Sequence, residues 1–284
     1  MDSQPVEITT LVAGRSFLEG PRWRGNVLYV SDMHGDAVLR VTDDGAVARV
    51  VDVEQPSGLG WLPDGSLLVS SMAARRVMRF DGTALTLHAD LAAVAPHEIN
   101  DMVVDRHGHA FVGQFGYDLR GGGARTTAPL LRVDPDGSVH EAAPDMRMAN
   151  GMAITTDDRT LVVAESAGGC LLGFDLADDG SLSNRRVWAE LPDAPDGMCL
   201  DAQDGAWIAA PVGDRFVRVL EGGEVTDVIE TPGRHGIACA LGGPDGRTLY
   251  MLTATNHGER HEARAAMSAA IERTTVRVPG AERP

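Results

Sequence analysis

The chain has 284 residues, 43% of them apolar and 5% aromatic, with a formal net charge of −16; that is enough for one large closed all-β architecture or two average domains. The acidic balance argues against nucleic acid and anionic membrane surfaces as partners, because phosphates recruit basic patches. All 25 basic residues are arginine, so Schiff-base chemistry and a lysine-dependent phosphate loop are excluded.

Along the chain, Glu7–Val12 reads as a strand with no sheet of its own. Val27–Ser31, Ala37–Val41 and Val47–Val53 then form a first sheet, turned at Asp44-Gly45. Leu67–Ser71, Arg76–Phe80 and Leu85–Ala89 form a second, turned at Asp64-Gly65 and Asp81-Gly82. His109–Gln114, Leu130–Val133 and Val139–Ala142 form a third, turned at Asp136-Gly137. Asp-Gly between apolar runs is a strong hairpin signal, and it returns at Asp179-Gly180, Asp204-Gly205 and Asp245-Gly246. Two segments interrupt the pattern. Tyr117–Ala128 is an Arg/Gly-rich insertion, and Glu259–Ala270 has the composition of a short helix or a loop, followed by a strand over Ile271–Val278.

One phrase recurs about six times, opening near residues 19, 58, 100, 150, 196 and 237, at intervals of 39 to 50 residues. That period predicts an all-β fold, a six-bladed β-propeller with one four-stranded sheet per copy. With no linker in view, residues 1–284 read as a single propeller domain. Glu7–Val12 is expected to pair beside Ile271–Val278 in the last blade and close the ring, removing exposed sheet edges. Cys170, Cys199 and Cys239 lie far apart in apolar runs and read as buried free thiols. The N-terminus lacks a basic-then-apolar leader, and no run approaches the length of a membrane span. A cytoplasmic protein fits these features.

The local signatures of serine hydrolases, zincins and dinucleotide-binding proteins are missing. What remains is polar residues that open the copies and therefore converge on one axis. Glu19, Asn150 and Asp196 form an oxygen-only set suited to a hard divalent cation, two carboxylates balancing its charge. Asn and Asp before glycine are also ordinary turn formers, and the residues alone leave both readings open. Asn100 and Asp101 open the third blade, where they either hold a substrate hydroxyl or make a turn. His97 and Glu98 precede them on a loop facing the channel. His34 is either a proton shuttle or a packing residue. His257 and His261, four apart around Glu259, have zinc-like spacing in a polar segment near the C-terminus.

Leu18-Glu19-Gly20-Pro21-x-Trp23, Asn100-Asp101, Asn150-Gly151-Met152-Ala153 and Asp196-Gly197-Met198, in this order and spacing, resemble the senescence-marker-protein, regucalcin and gluconolactonase family. The resemblance runs from about residue 12 to 280. It implies a six-bladed propeller with one divalent cation in its channel and hydrolysis of lactones, typically sugar lactones. It matches Glu19, Asn150 and Asp196 to the metal ligands, Asn100 to the substrate-binding asparagine, and Asp101 to the acidic residue after it. Sugar-lactonase members carry an arginine where this chain has Glu98, which departs from their grip on sugar hydroxyls. Met33, Met72, Phe115 and Met152 point to a less polar substrate.

The expected activity is hydrolysis of a cyclic ester, with a metal-polarised carbonyl and an activated water. Asp196 is the first choice of general base, Asp101 and His34 the second. Asn100, Glu98, His97 and Phe115 are the substrate-binding candidates. Calcium is the first choice of cation, with magnesium, manganese and zinc open. The expected partner is a small-molecule lactone or ester, with the chain a monomer or weak homo-oligomer. The rival readings are a metal-dependent esterase or phosphotriesterase, a biosynthetic cyclase or isomerase, a non-enzymatic calcium sensor, and a protein-interaction platform.

Overall fold

The computed structural model describes residues 7–119, 121–256 and 259–281. Its strands make six four-stranded antiparallel sheets, and the sheets are the six blades of a β-propeller. The innermost strands, in blades I to VI, are Leu18–Arg24, Pro56–Trp61, Ile99–Val104, Ala149–Ile154, Met198–Leu200 and His235–Gly242. Neighbouring inner strands contact one another in cyclic order, the first against the last.

Burial explains why the repeat is legible near the axis and fades outward. The second strand of blade II, Leu67–Ser71, is buried at every position, as a strand packed on both faces must be. The outer strand of blade IV, Leu182–Glu190, is largely exposed or half-buried. Its sequence is correspondingly free to vary. The hairpins turn as expected: Gly45, Gly65, Gly137, Gly180 and Gly246 all have positive φ. The preceding Asp accepts from a backbone amide two residues on, as in Asp64 Oδ1 from Ser66 N at 2.9 Å and Asp179 Oδ1 from Ser181 N at 3.0 Å. At Asp204-Gly205 the left-handed residue is Asp204 itself, with φ 57°.

Closure follows the expected route with slightly different boundaries. Thr9–Arg15 pairs antiparallel with Ala269–Thr275, Thr9 facing Arg273 and Val12 facing Ile271, and forms the outer strand of blade VI. The last strand thus begins two residues earlier than its sequence suggests, because Ala269 and Ala270 are buried in the blade. Arg260–Ala266 is an α-helix; His257 lies outside the described residues, so its pairing with His261 has no structural counterpart here. Among the described residues, the insertion Tyr117–Ala128 has no strand before Ala128. No described helix is long and apolar enough to cross a membrane.

Candidate functional site

Five of the six inner strands carry a register shift at the same place, between Glu19 and Arg22, Pro56 and Leu59, Ile99 and Met102, Ala149 and Met152, and Gly236 and Ala238. A β-bulge re-aims side chains next to it, and the residues inside these bulges include the ones that open the sequence repeats. In blade V the equivalent dipeptide Asp196-Gly197 lies just before the paired strand, tied by Asp196 N to Ala209 O at 3.0 Å and Gly197 N to Ile237 O at 2.9 Å. Adjacent inner strands approach closely there. A Cβ on Gly151 would stand 2.6 Å from Asp196 O and 2.7 Å from Met198 N, which only glycine permits. Gly20, at φ +52°, would put a Cβ 2.2 Å from Ser57 O.

These bulges and the Asp196-Gly197 turn bring together Glu19, Asn150, Asp101 and Asp196; the first three are at most 7% exposed and Asp196 is half-buried. Asn150 Nδ2 donates to Asp196 Oδ1 at 2.5 Å and to Ser166 Oγ at 3.2 Å, and Ser166 Oγ donates to Pro195 O at 2.7 Å. The amide is thereby oriented, and its Oδ1 is buried without a hydrogen-bond partner. Asp101 Oδ1 accepts from Arg22 Nη2 at 3.0 Å and from Met102 N at 2.8 Å. Arg22 Nη2 also donates to Met102 O at 2.6 Å.

Burial and crowding of like charge set the electrostatics. Burial pushes Asp196 up to about 7; the Asn150 hydrogen bond pulls it back and the Asp101 charge adds to the rise. Burial, then the charges of Asp196 and Asp101, hold Glu19 well above the usual carboxylate range against the Gly20 amide and Arg22. Asp101 is raised by burial and restrained by Arg22 and the Met102 amide. Arg22 offsets one of the three carboxylates. Glu19 and Asp196 are left as two carboxyl groups without a counter-charge beside an orphaned amide oxygen, and this donor set fits a hard divalent cation. Among the described residues no group of three His, Cys, Asp or Glu side chains stands in metal-holding geometry; the trio here includes an amide, which lies outside that set.

The other candidates are distributed differently. Asn100 is 4% exposed, its carbonyl accepts from Ser70 Oγ at 2.8 Å, and its Nδ2 is buried without a partner. His97 and Glu98 line a cavity of about 350 Å³ with Arg75, Tyr117 and Asp118. Phe115 is tied to them by its amide, which donates to Glu98 O at 3.1 Å. It packs in one buried cluster with Met33 and Met72. His34 sits in the 3-10 turn Met33–Gly35 and packs against Phe17 at 5.6 Å between ring centroids. Three residues escaped the sequence reading: Arg22, Ser57 (fully buried, its Oγ without a partner) and Ser166. Ser166 follows Glu165 as Met72 follows Ser71 and Met33 follows Asp32 in their own blades, so no serine recurs at this place to mark it in the sequence. Cys170 and Cys239 are buried and Cys199 is half-buried, with 3.9 Å between the sulfurs of Cys199 and Cys239.

Comparison with known proteins agrees with this architecture. The family model for the SMP-30/gluconolactonase/LRE-like region matches residues 17–255. A 6-deoxy-6-sulfogluconolactonase of Pseudomonas putida is 28% identical over 277 residues, covering 94% of this chain and 93% of the relative. A pentonolactonase of Haloferax volcanii is 28% identical over 250 residues, covering 85% and 82%. Among solved structures, a calcium-binding regucalcin from Agrobacterium tumefaciens superposes with a TM-score of 0.78 at 19% identity, covering 99% of this chain and 98% of that one.

Proposed function

The chain belongs to the SMP-30/gluconolactonase/LRE-like family, and on that premise we propose that it is a divalent-metal-dependent lactonase working as a single propeller domain, 1–284, in the cytoplasm. The observation that carries the reading is the carboxyl pair of buried Glu19 and half-buried Asp196, with the unpartnered Asn150 Oδ1 beside them. Lactone hydrolysis as the reaction class is supported by the two lactonase relatives. Calcium is the first choice of cation, supported by the oxygen-only donor set and by the regucalcin neighbour.

Glu19, Asn150 and Asp196 would hold the cation, which when bound polarises a carbonyl and lowers the pKa of water. Asp196 acts as general base. It takes a proton from the attacking water as the new C–O bond forms at the carbonyl carbon. It returns that proton to the ring oxygen as the ring C–O bond breaks, giving a hydroxy acid. The Asn150 amide fixes the Asp196 carboxylate for this transfer. Asn100 Nδ2, a buried donor without a protein acceptor, orients the substrate. Asp101 is held by Arg22 and keeps the negative potential of the site high. Glu98 gives the rim a carboxylate, so selection shifts away from ligands gripped by a guanidinium.

The test is proton release from sugar lactones, aliphatic γ- and δ-lactones, aryl esters and a phosphotriester. The protein is first chelated, then reloaded with calcium, magnesium, manganese or zinc in turn. Turnover confined to lactones, dependent on metal and lost in Glu19→Gln, Asn150→Ala and Asp196→Asn, is the expected result. Tight metal binding with no turnover on any substrate would overturn it in favour of a sensor.

A further inference from the structure

The carboxylates occupy only the end of the channel where the inner strands begin. At the other end, where those strands finish, lies a separate cavity of about 350 Å³, within the size range of small-molecule sites. Much of its wall is apolar: Trp23, Trp61, Val104, Ile154, Leu200 and Leu241 contribute to it. Both indoles are held in place. Trp23 stacks on Tyr250 at 5.3 Å and 15° between ring planes, and Trp61 meets Tyr29 edge-on at 5.1 Å. A preformed aromatic wall of this kind binds flat apolar groups with little ordering loss.

The charges in the wall do not cancel. Arg22 is paired with Asp101 at 3.0 Å. Arg106 is paired with Asp158 at 3.0 Å and Asp178 at 2.6 Å. Asp105 accepts from His109 N at 2.8 Å and sits 2.8 Å from His109 Nδ1. Arg24 has no carboxylate partner among the described residues. Its guanidinium lies 4.7 Å from the centre of the Trp61 ring, and its Nη1 is closed off from solvent with no hydrogen-bond partner. A half-buried cation without a counter-charge is held against desolvation, which an anion in the cavity would offset. A cationic ligand is disfavoured, since Arg24 already covers the face of Trp61. A dianion would leave its second charge unmatched against apolar walls.

We propose that this half of the channel is a second binding site, taking a small aromatic monocarboxylate with its ring on the tryptophan wall and its carboxylate toward Arg24. Arg22 separates the two sites, facing the cavity on one side and Asp101 on the other. The site stands independently of any lactonase activity.

The test uses the intact protein with 3-phenylpropanoate and its neutral analogue 3-phenylpropanamide, compared by titration calorimetry. Cys199 lines the cavity and is half-buried, whereas Cys170 and Cys239 are buried, so alkylation of Cys199 by iodoacetamide, read by mass spectrometry, reports occupancy of this end. The acid is expected to bind roughly tenfold tighter than the amide, the weight of one charge-assisted contact, and to slow Cys199 alkylation. Arg24→Gln is expected to abolish the preference for the acid while leaving amide affinity unchanged. Equal binding of acid and amide, no binding of either, or acid binding that leaves Cys199 alkylation untouched would overturn the proposal. So would an acid preference that survives in Arg24→Gln. If that variant fails to fold, the acid–amide comparison and Cys199 protection in the parent protein decide the matter.

Discussion

The two halves of the channel are made by the same six strands, yet they differ as sharply as any two regions of the molecule. Where the strands begin, bulges turn oxygen-bearing side chains inward and the surplus charge is negative. Where they end, the strands are regular, the wall is indole and aliphatic, and the surplus charge is the cation of Arg24. The difference teaches that a propeller scaffold fixes position, while the local backbone irregularity fixes chemistry. The same strand delivers Asn150 to one site and Ile154 to the other, four residues apart.

The largest effect expected from breaking the oxygen-rich half is on turnover. Asp196→Asn should reduce lactone hydrolysis on the order of 10³-fold, as loss of a general base does, measured as kcat/KM with saturating metal. Arg22→Met should be the most destabilising single change, at about 3–5 kcal/mol, because it strands the Asp101 carboxylate in a buried site; equilibrium urea unfolding measures it. Metal-free protein should lose stability as pH rises. Asp196 has a folded-state pKa of about 7 against an ordinary 3.8, so between those values the folded state binds the extra proton. The stabilisation is therefore full below the lower value, declines through the window and is gone above the upper. Adding calcium should reverse the decline, because the cation favours the ionised carboxylates; urea midpoints across that pH range, with and without metal, check the sign.

Smaller effects sharpen the contrast. Gly151→Ala should cost about 1–3 kcal/mol, because its Cβ would meet backbone atoms of Asp196 and Met198 that cannot swing aside. It should also weaken metal binding by moving Asp196. In the apolar half, Arg24→Gln should cost no more than about 1 kcal/mol, since Arg24 makes no ion pair to lose and gives up only its contact over the Trp61 ring. A thermal melt is sufficient to check that.

The repeat period and the Asp-Gly hairpins were legible in the chain because each is local. A turn needs its residues within four positions, and the two-sided burial of strands such as Leu67–Ser71 writes itself as an unbroken apolar run. Ring closure was legible too, as a strand left over at each end. Glu19, Asn150 and Asp196 could be singled out because they fall at equivalent places in the repeat. Tertiary structure alone decided the rest. The link between Arg22 and Asp101 spans 79 residues, and no local pattern encodes it. The burial that raises Asp196, with the charge of Asp101 added to it, exists only once the blades converge. The second cavity was invisible for the same reason: its wall is built from the last residues of six strands, each an ordinary core residue in its own sequence, and becomes a site only when the ring leaves space between them.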